Sequence, residues 1–392
     1  MTAAPSDRQR PLQVLFVFGT RPEAIKLCPL VKRLEQAPEL FRTRVCVTAQ
    51  HRSMLDQVLQ AFGVRPDYDL DLMLPDQTLA QLTSRVVAAL EPVIARERPD
   101  WVFVQGDTTT TFCAALAGFY ARARVAHVEA GLRTGDKYQP YPEEINRLLT
   151  SRLSDLHFAA TEEAASNLRA EGIPAESVFV TGNTVIDAVL FIRDALERGR
   201  LPRPQWAFLD PARKTVLVTA HRRESFGEGF ERICQALAAL AQRPDVQIVY
   251  PVHSNPNVQE PVRRLLSGRS NIQLLKPLEY VPFVDLMTRA YFILSDSGGV
   301  QEEAPSLGKP VLVMREKTER PEAVRAGTVR LVGTDVERIL TESRRLLDEP
   351  EHYGEMSRRH NPYGDGRACE RIAEIIAPAR PDLPGRSPRG SS

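Results

Sequence analysis

Residues 101–147 read WVFVQGDTTTTFCAALAGFYARARVAHVEAGLRTGDKYQPYPEEINR. Two short apolar runs, 101–104 and 125–128, lack polar alternation, the pattern of strands covered on both faces. A helix from about Thr109 fits between them, so the segment reads as a parallel strand–helix–strand crossover. An acidic residue follows each run: Asp107 after the first and Glu129 after the second. A third acidic pair, Glu143 and Glu144, comes after a Pro-rich turn and opens a helix that ends near Arg152. In an open α/β sheet, ligands bind beyond the carboxyl ends of the strands. Asp107 and Glu129 therefore stand where a ligand would, and Glu143 lies on a segment able to fold back over them. A plainer reading makes Asp107 a helix N-cap and lets Glu143 and Glu144 favour the positive end of the next helix. The cations Arg133, Lys137 and Arg147 among these carboxylates favour a site.

Outward from this segment the alternation continues. Strands are predicted at 14–18, 45–48, 156–160 and 178–181, with helices at about 53–62 and 77–98. The stretch 197–213 holds Pro202, Pro204 and Pro211 among polar residues and reads as a surface connection. Beyond it strands are predicted at 216–219, 247–252, 272–275, 292–295, 311–314 and 329–332. Helices fit around 228–240, 258–266, 281–289, 300–307 and 336–347. The pattern gives an α/β protein with two parallel-sheet domains, 11–196 and 214–362. A final helix within 363–376 is placed to cross back to the first domain. Residues 1–10 and 377–392 read as flexible or disordered tails.

Composition narrows the class. Of 392 residues, 43% are hydrophobic and 26% charged, as in a soluble globular protein. Net charge is +1, so bulk electrostatics favours neither nucleic acid nor membrane as a partner. The five cysteines are scattered with no CxxC pair, which argues for small buried apolar residues rather than a disulfide framework or zinc site. The first residues lack the apolar core of a signal peptide, and no apolar run approaches the roughly 18 residues of a membrane span. A cytoplasmic protein is the expectation.

Several strand ends carry chemistry. Residues 19–26, GTRPEAIK, turn from strand into helix; Gly19 would let a ligand approach backbone closely, and Arg21 and Lys26 add cations. The spacing is not that of a P-loop. In the second half, SDSGGVQEE at 295–303 offers the Ser297 hydroxyl and the backbone amides of Ser297, Gly298 and Gly299 to a phosphate. Glu303 lies one helical turn further in, placed to accept from ribose hydroxyls, and Arg320 is within reach of the same pocket. His221, Arg222 and Arg223 follow another strand and suit a diphosphate. His253 and Gln50 also follow strands. His127 and His157 read as buried, hydrogen-bonded residues, His352 and His360 as solvated ones. No histidine pair has metal-ligand spacing, so neither a metal nor another cofactor is expected.

Taken together, GTRPEAIK, TAQHR, QGDTTTT, HVEAGLRTGDKYQPYPEEINR, TGNTVIDA, TAHRRESFG, YPVHSNP, SDSGGVQEEAPSLGKPVLVMRE and TERPEAV resemble the non-hydrolysing UDP-N-acetylglucosamine 2-epimerases. They run in family order over residues 19–324. The resemblance implies two Rossmann-like domains of GT-B type with the active site in the interdomain cleft. It implies reversible conversion of UDP-GlcNAc to UDP-ManNAc, feeding cell-surface polysaccharide synthesis, by an enzyme expected to be a homodimer. It assigns catalysis to Asp107, Glu129, Glu143 and His221. Arg21 and Lys26 fall near the diphosphate, and Phe283, Ser297, Gly298, Gly299, Glu303 and Arg320 to uridine and phosphates. Some bacterial members bind a second UDP-GlcNAc as activator, and Gln50, Arg222 and His253 match positions used there. Which carboxylate is the base stays open. Rivals are a GT-B glycosyltransferase, a hydrolysing relative, and an inactive UDP-sugar sensor.

Overall fold

The protein is described by a computed structural model covering residues 10–48, 52–74 and 76–377. Gln50, named above for a regulatory role, lies outside the described residues, as do the tails 1–9 and 378–392. The chain divides into two compact units. One runs to Asp187 and takes in the chain from Gly366 onward; the other is Ala188–Asp365.

In the first unit the strands are β1 (Leu12–Phe18), β2 (Phe41–Val47), β3 (Tyr68–Asp69), β4 (Trp101–Gln105), β5 (Arg124–Ala130), β6 (Leu156–Ala159) and β7 (Val178–Val180). The helices between them are α1 (Arg21–Glu35), α2 (Arg52–Phe62), α3 (Leu79–Glu97), α4 (Thr109–Tyr120), α5 (Glu143–Leu153) and α6 (Glu162–Ala170). α7 (Thr184–Glu197) follows β7. Among the described residues the strands form a seven-stranded sheet ordered β3-β2-β1-β4-β5-β6-β7, with every pairing parallel. All five residues of β4 are buried, as a central strand covered by helices on both faces requires.

The second unit repeats the plan. β8 (Lys214–Thr219), β9 (Val246–Pro251), β10 (Ile272–Leu275), β11 (Phe292–Ser295), β12 (Val311–Val313) and β13 (Val329–Leu331) form a parallel sheet ordered β10-β9-β8-β11-β12-β13. Its helices are α8 (Glu228–Leu240), α9 (Pro256–Leu266), α10 (Tyr280–Arg289), α11 (Gly298–Glu303), α12 (Pro321–Ala326), α13 (Val336–Asp348) and α14 (Pro350–Ser357). α15 (Ala368–Ile376) belongs to the first unit and packs on α1. The Asp187 carboxylate accepts the Ala368 and Cys369 N–H groups, satisfying two of the orphan donors of α15. Each unit is thus a Rossmann-like α/β layer structure of GT-B type. No described helix is long and apolar enough to cross a membrane.

Four local expectations need correction. The division between units falls inside α7, between Asp187 and Ala188, not in the 197–213 stretch. That stretch is anchored in the second unit, because Arg203 and the Trp206 indole both donate to the fully buried Asp285 of α10. Arg10 is no loose tail residue, since its guanidinium makes two 2.7 Å bonds to Asp100. His352, expected in solvent, is buried within α14.

Topology fixes where a ligand can bind. Strand order reverses between β1 and β4 in one sheet and between β8 and β11 in the other. At such switch points the two crossovers leave in opposite directions and open a crevice beyond the strand ends. The chain places GTRPE after β1, GDTTTT after β4, TAHRRE after β8 and SDSGG after β11.

Candidate functional site

The first unit's switch point is welded by Glu23. Its buried carboxylate accepts the Gly19 and Thr20 amides at 3.0 and 2.7 Å and the hydroxyls of Thr108 and Thr111 at 2.7 and 3.0 Å. Glu23 also closes a capping box with Thr20 at the start of α1. One side chain therefore ties the turn carrying Arg21 and Lys26 to the turn carrying Asp107. Burial raises the Glu23 pKa, against the lowering pull of these donors. Gly19 is needed here for packing rather than for a ligand: a Cβ would lie 2.1 Å from the Thr48 hydroxyl.

Asp107 is not the N-cap of α4. Thr108 takes that role, accepting from the Thr111 amide. The Asp107 carboxylate is left to receive Arg147 Nη2 at 2.5 Å, while its carbonyl accepts from Asn146 at 2.9 Å. Arg147 spans two carboxylates, its Nη1 reaching Glu144 at 2.9 Å. Buried Glu144 also accepts the Thr134 and Gly135 amides, so it pins the 131–142 loop to α5 instead of facing solvent. Glu143 is half-buried at the first position of α5.

Glu129 interrupts β5. Its φ is +61°, and pairing with β6 shifts register between Val128 and Ala130. A non-glycine residue held in the left-handed region costs about 1–3 kcal/mol, and such strain concentrates at functional sites. Here it re-aims the carboxylate, as a bulge does. Lys26 Nζ and Gln105 Nε2 both donate to Glu129 Oε2, and Asn183 Nδ2 stands 3.4 Å from Oε1. The next residue but one, Gly131, has φ +92°, and a Cβ on it would sit 2.2 Å from the Ala164 carbonyl. His127 is fully buried with Nε2 on the Gly106 carbonyl at 2.7 Å; burial drives its pKa down to about 3.

The second unit gathers cations. His221 and Arg222 follow β8, and the His221 ring stacks on exposed His253 after β9, centroids 5.2 Å apart. Asp296, fully buried after β11, accepts both the His221 and Arg222 amides. Burial lowers the His221 pKa; Asp296 raises it, and His253 and Arg222 lower it further. Gly298 opens α11, and a Cβ there would lie 3.9 Å from an Arg320 guanidinium nitrogen and 4.0 Å from one of Arg222. Two guanidiniums thus converge beside Ser297 and Gly299; Ser297 makes no side-chain cap to α11, and its own amide donates to the Ser295 hydroxyl at 3.0 Å. Arg320 is oriented by Nε donation to Glu302. Glu303 is buried and accepts from the Tyr280 hydroxyl at 3.1 Å; Phe283 is half-buried one turn along from Tyr280 on α10.

Within the first unit, then, Lys26, Asp107 and Glu129 lie at one switch point, with Arg21 at the start of α1 and Glu143 at the start of α5. Within the second, His221, Arg222 and His253 gather at the ends of neighbouring strands, and Ser297, Gly298, Gly299 and Arg320 at the adjoining turn. Sequence reasoning assigned no role to Glu23, Gln105, Asn183, Asp296 or Glu302. All sit within the quoted strings, but polar residues that serve other polar residues carry no spacing signal of their own. Among the described residues, no group of three or more His, Cys, Asp or Glu could hold a metal ion.

The chain is similar to known proteins over most of its length. Residues 32–377 match the family described as UDP-N-acetylglucosamine 2-epimerase. The UDP-N-acetylglucosamine 2-epimerase of Yersinia pestis is 58% identical over 371 residues, 93% of this chain and 98% of that protein. The crystal structure of UDP-GlcNAc 2-epimerase from Neisseria meningitidis bound to UDP-GlcNAc superposes with TM-score 0.84 at 49% identity, covering 93% of this chain and 99% of that one. The Methanocaldococcus jannaschii UDP-GlcNAc 2-epimerase in complex with UDP-GlcNAc and UDP gives TM-score 0.73 at 33% identity, covering 93% and 99%. The chain belongs to the non-hydrolysing UDP-N-acetylglucosamine 2-epimerase family.

Proposed function

We propose that the protein interconverts UDP-GlcNAc and UDP-ManNAc by anti elimination of UDP to 2-acetamidoglucal, followed by re-addition. The C2 proton of the sugar is not beside a carbonyl, so simple abstraction leaves an unstabilised anion. Loss of UDP from C1 as the proton departs avoids that species. Return of UDP with proton delivery to the opposite face inverts C2. The route needs a base, a proton donor, and cations for the departing diphosphate.

The observation that carries the reading is the set of carboxylates at the first unit's switch point. Asp107 is held by Arg147, and Glu129 by Lys26 and Gln105 on a backbone bent to aim it. With Glu143 they supply the base and the donor. Arg21 and Lys26 bring positive charge to the same turn. The second unit supplies a uridine diphosphate site: Arg222, Arg320 and His221 for phosphates, the Ser297 hydroxyl and the Gly298 and Gly299 amides for donation beside them, Glu303 for ribose hydroxyls and Phe283 for the uracil ring. A product carrying activated ManNAc suits surface polysaccharide synthesis.

Incubation with UDP-GlcNAc in D2O, followed by NMR, tests this. Deuterium should enter C2 of both epimers, because the proton lost to a carboxylate exchanges with solvent before return. Retention of the original hydrogen in UDP-ManNAc would defeat the elimination route. Release of free ManNAc would assign the chain to hydrolysis instead.

A further inference from the structure

Asp296 is fully buried at the end of β11, and its two carboxylate oxygens do different things. Oδ2 accepts the backbone N–H groups of His221 at 2.6 Å and Arg222 at 2.7 Å. Oδ1 makes no hydrogen bond, yet lies 3.4 Å from Nδ1 of the His221 ring. A buried carboxylate oxygen without a donor is costly, and a small ring rotation turns this approach into a hydrogen bond. Three strand ends define the ring's surroundings: Asp296 behind it from β11, His253 stacked against it from β9, and Arg222 beside it from β8.

The nitrogen that faces Oδ1 has to carry a hydrogen. A carboxylate oxygen only accepts, so an unprotonated Nδ1 would set lone pair against lone pair. The remaining nitrogen, Nε2, is then a lone-pair acceptor when the ring is neutral and an N–H donor when it is charged. We infer that Asp296 is a positioning residue that holds the His221 proton on Nδ1, so that Nε2 is the nitrogen His221 presents to its ligand. The inference rests on His221 serving the proposed diphosphate site. When Nε2 gains a proton, the new charge lies between Asp296 and the departing diphosphate. The proton stays on the ring, Asp296 gains none, and the imidazolium donates a charged hydrogen bond to the leaving phosphate.

Asn at 296 reverses the geometry without changing its size. Its amide oxygen still accepts the two backbone N–H groups, while its NH2 points at Nδ1 and demands an acceptor there. The proton moves to Nε2. The test uses the full chain labelled with 15N-histidine and long-range 1H–15N correlation at a pH where the ring is neutral, with the His221→Asn spectrum identifying the signals. Wild type should show the Nδ1–H tautomer, and Asp296→Asn the Nε2–H tautomer. Turnover of UDP-GlcNAc by Asp296→Asn should fall on the order of 100-fold, with UDP affinity little changed. A wild-type Nε2–H tautomer would overturn the inference, as would an Asp296→Asn protein that keeps the Nδ1–H form and full turnover. If Asp296→Asn does not fold, the wild-type tautomer decides alone. A wild type that shows the expected tautomer but leaves UDP-GlcNAc unchanged sinks the epimerase reading and upholds the positioning role.

Discussion

Replacing Arg147 with Met should destabilise the first unit by about 3 kcal/mol, the low end for breaking a buried ion pair. The guanidinium is nearly inaccessible, with 6% of its side chain exposed, and bridges Asp107 at 2.5 Å and Glu144 at 2.9 Å. Its removal has unequal consequences for the two acids. Asp107 has 29% of its side chain exposed, so water can take the place of the lost donor. Glu144 has 3% and keeps only the Thr134 and Gly135 amides, so most of the cost falls there. Met fills similar volume, which keeps a cavity from adding to the loss. At about 2–4 °C per kcal/mol for a unit of this size, Tm should drop roughly 6–12 °C. Calorimetry on wild type, Arg147→Met, Glu144→Gln and the double variant gives the pairwise coupling. Neutralising Glu144 removes the stranded charge, so the double variant should recover at least 1 kcal/mol relative to additivity. Additive losses, or a single-variant loss under about 1 kcal/mol, would refute the assignment of Glu144 as the residue that depends on Arg147.

Three further outcomes are expected. Glu303→Ala should weaken UDP binding by about 1.5–3 kcal/mol, whereas Asp107→Asn should leave UDP affinity nearly intact yet slow turnover on the order of 100-fold; calorimetric titration and initial rates separate the two. Gly131→Ala should lose more than about 2 kcal/mol by denaturant unfolding, because its φ of +92° and the 2.2 Å approach to the Ala164 carbonyl both exclude a methyl group. His127, with its folded pKa down near 3, binds fewer protons folded than unfolded below pH 6.5. It therefore contributes stability that is fully present above 6.5 and lost as pH falls toward 3, at roughly 1 kcal/mol per pH unit, and His127→Gln should flatten that part of the stability–pH curve.

Much of the framework was legible because parallel strands buried on both faces have a strong signature. The runs at 101–104 and 125–128 became β4 and β5 within two residues at each end. Each half announced its own switch point through polar residues packed against strand ends. Helices with weaker patterns escaped. α6 is short, and α7 is apolar over much of its surface, so neither shows a clean amphipathic stripe. Its burial also hid the true division between units, which composition drew toward the prolines at 202, 204 and 211. Conformation was less readable still. Nothing in the string HVEAG says that Glu129 takes a positive φ, since that angle is imposed by the β6 pairing and by the donors Lys26 and Gln105. Whether Asp107 caps α4 turned on a one-residue offset: Thr108 accepts from Thr111 and takes the cap instead.

The five buried thiols make the chain its own reporter. Cys28 on α1, Cys46 on β2, Cys113 on α4 and Cys369 on α15 sit in the first unit, and Cys234 on α8 in the second. Burial raises each thiol's pKa, to about 12 for Cys46 and Cys234 and to about 11 for Cys113, so little thiolate exists near neutrality even before shielding is counted. An alkylating reagent therefore reacts only through molecules that have transiently opened, at a rate set by the free energy of that opening. Mass spectrometry of the labelled peptides resolves the two units without a single substitution. Protection gained at Cys234 on adding UDP, measured against the four thiols of the other unit, would locate nucleotide binding by breathing rather than by contact.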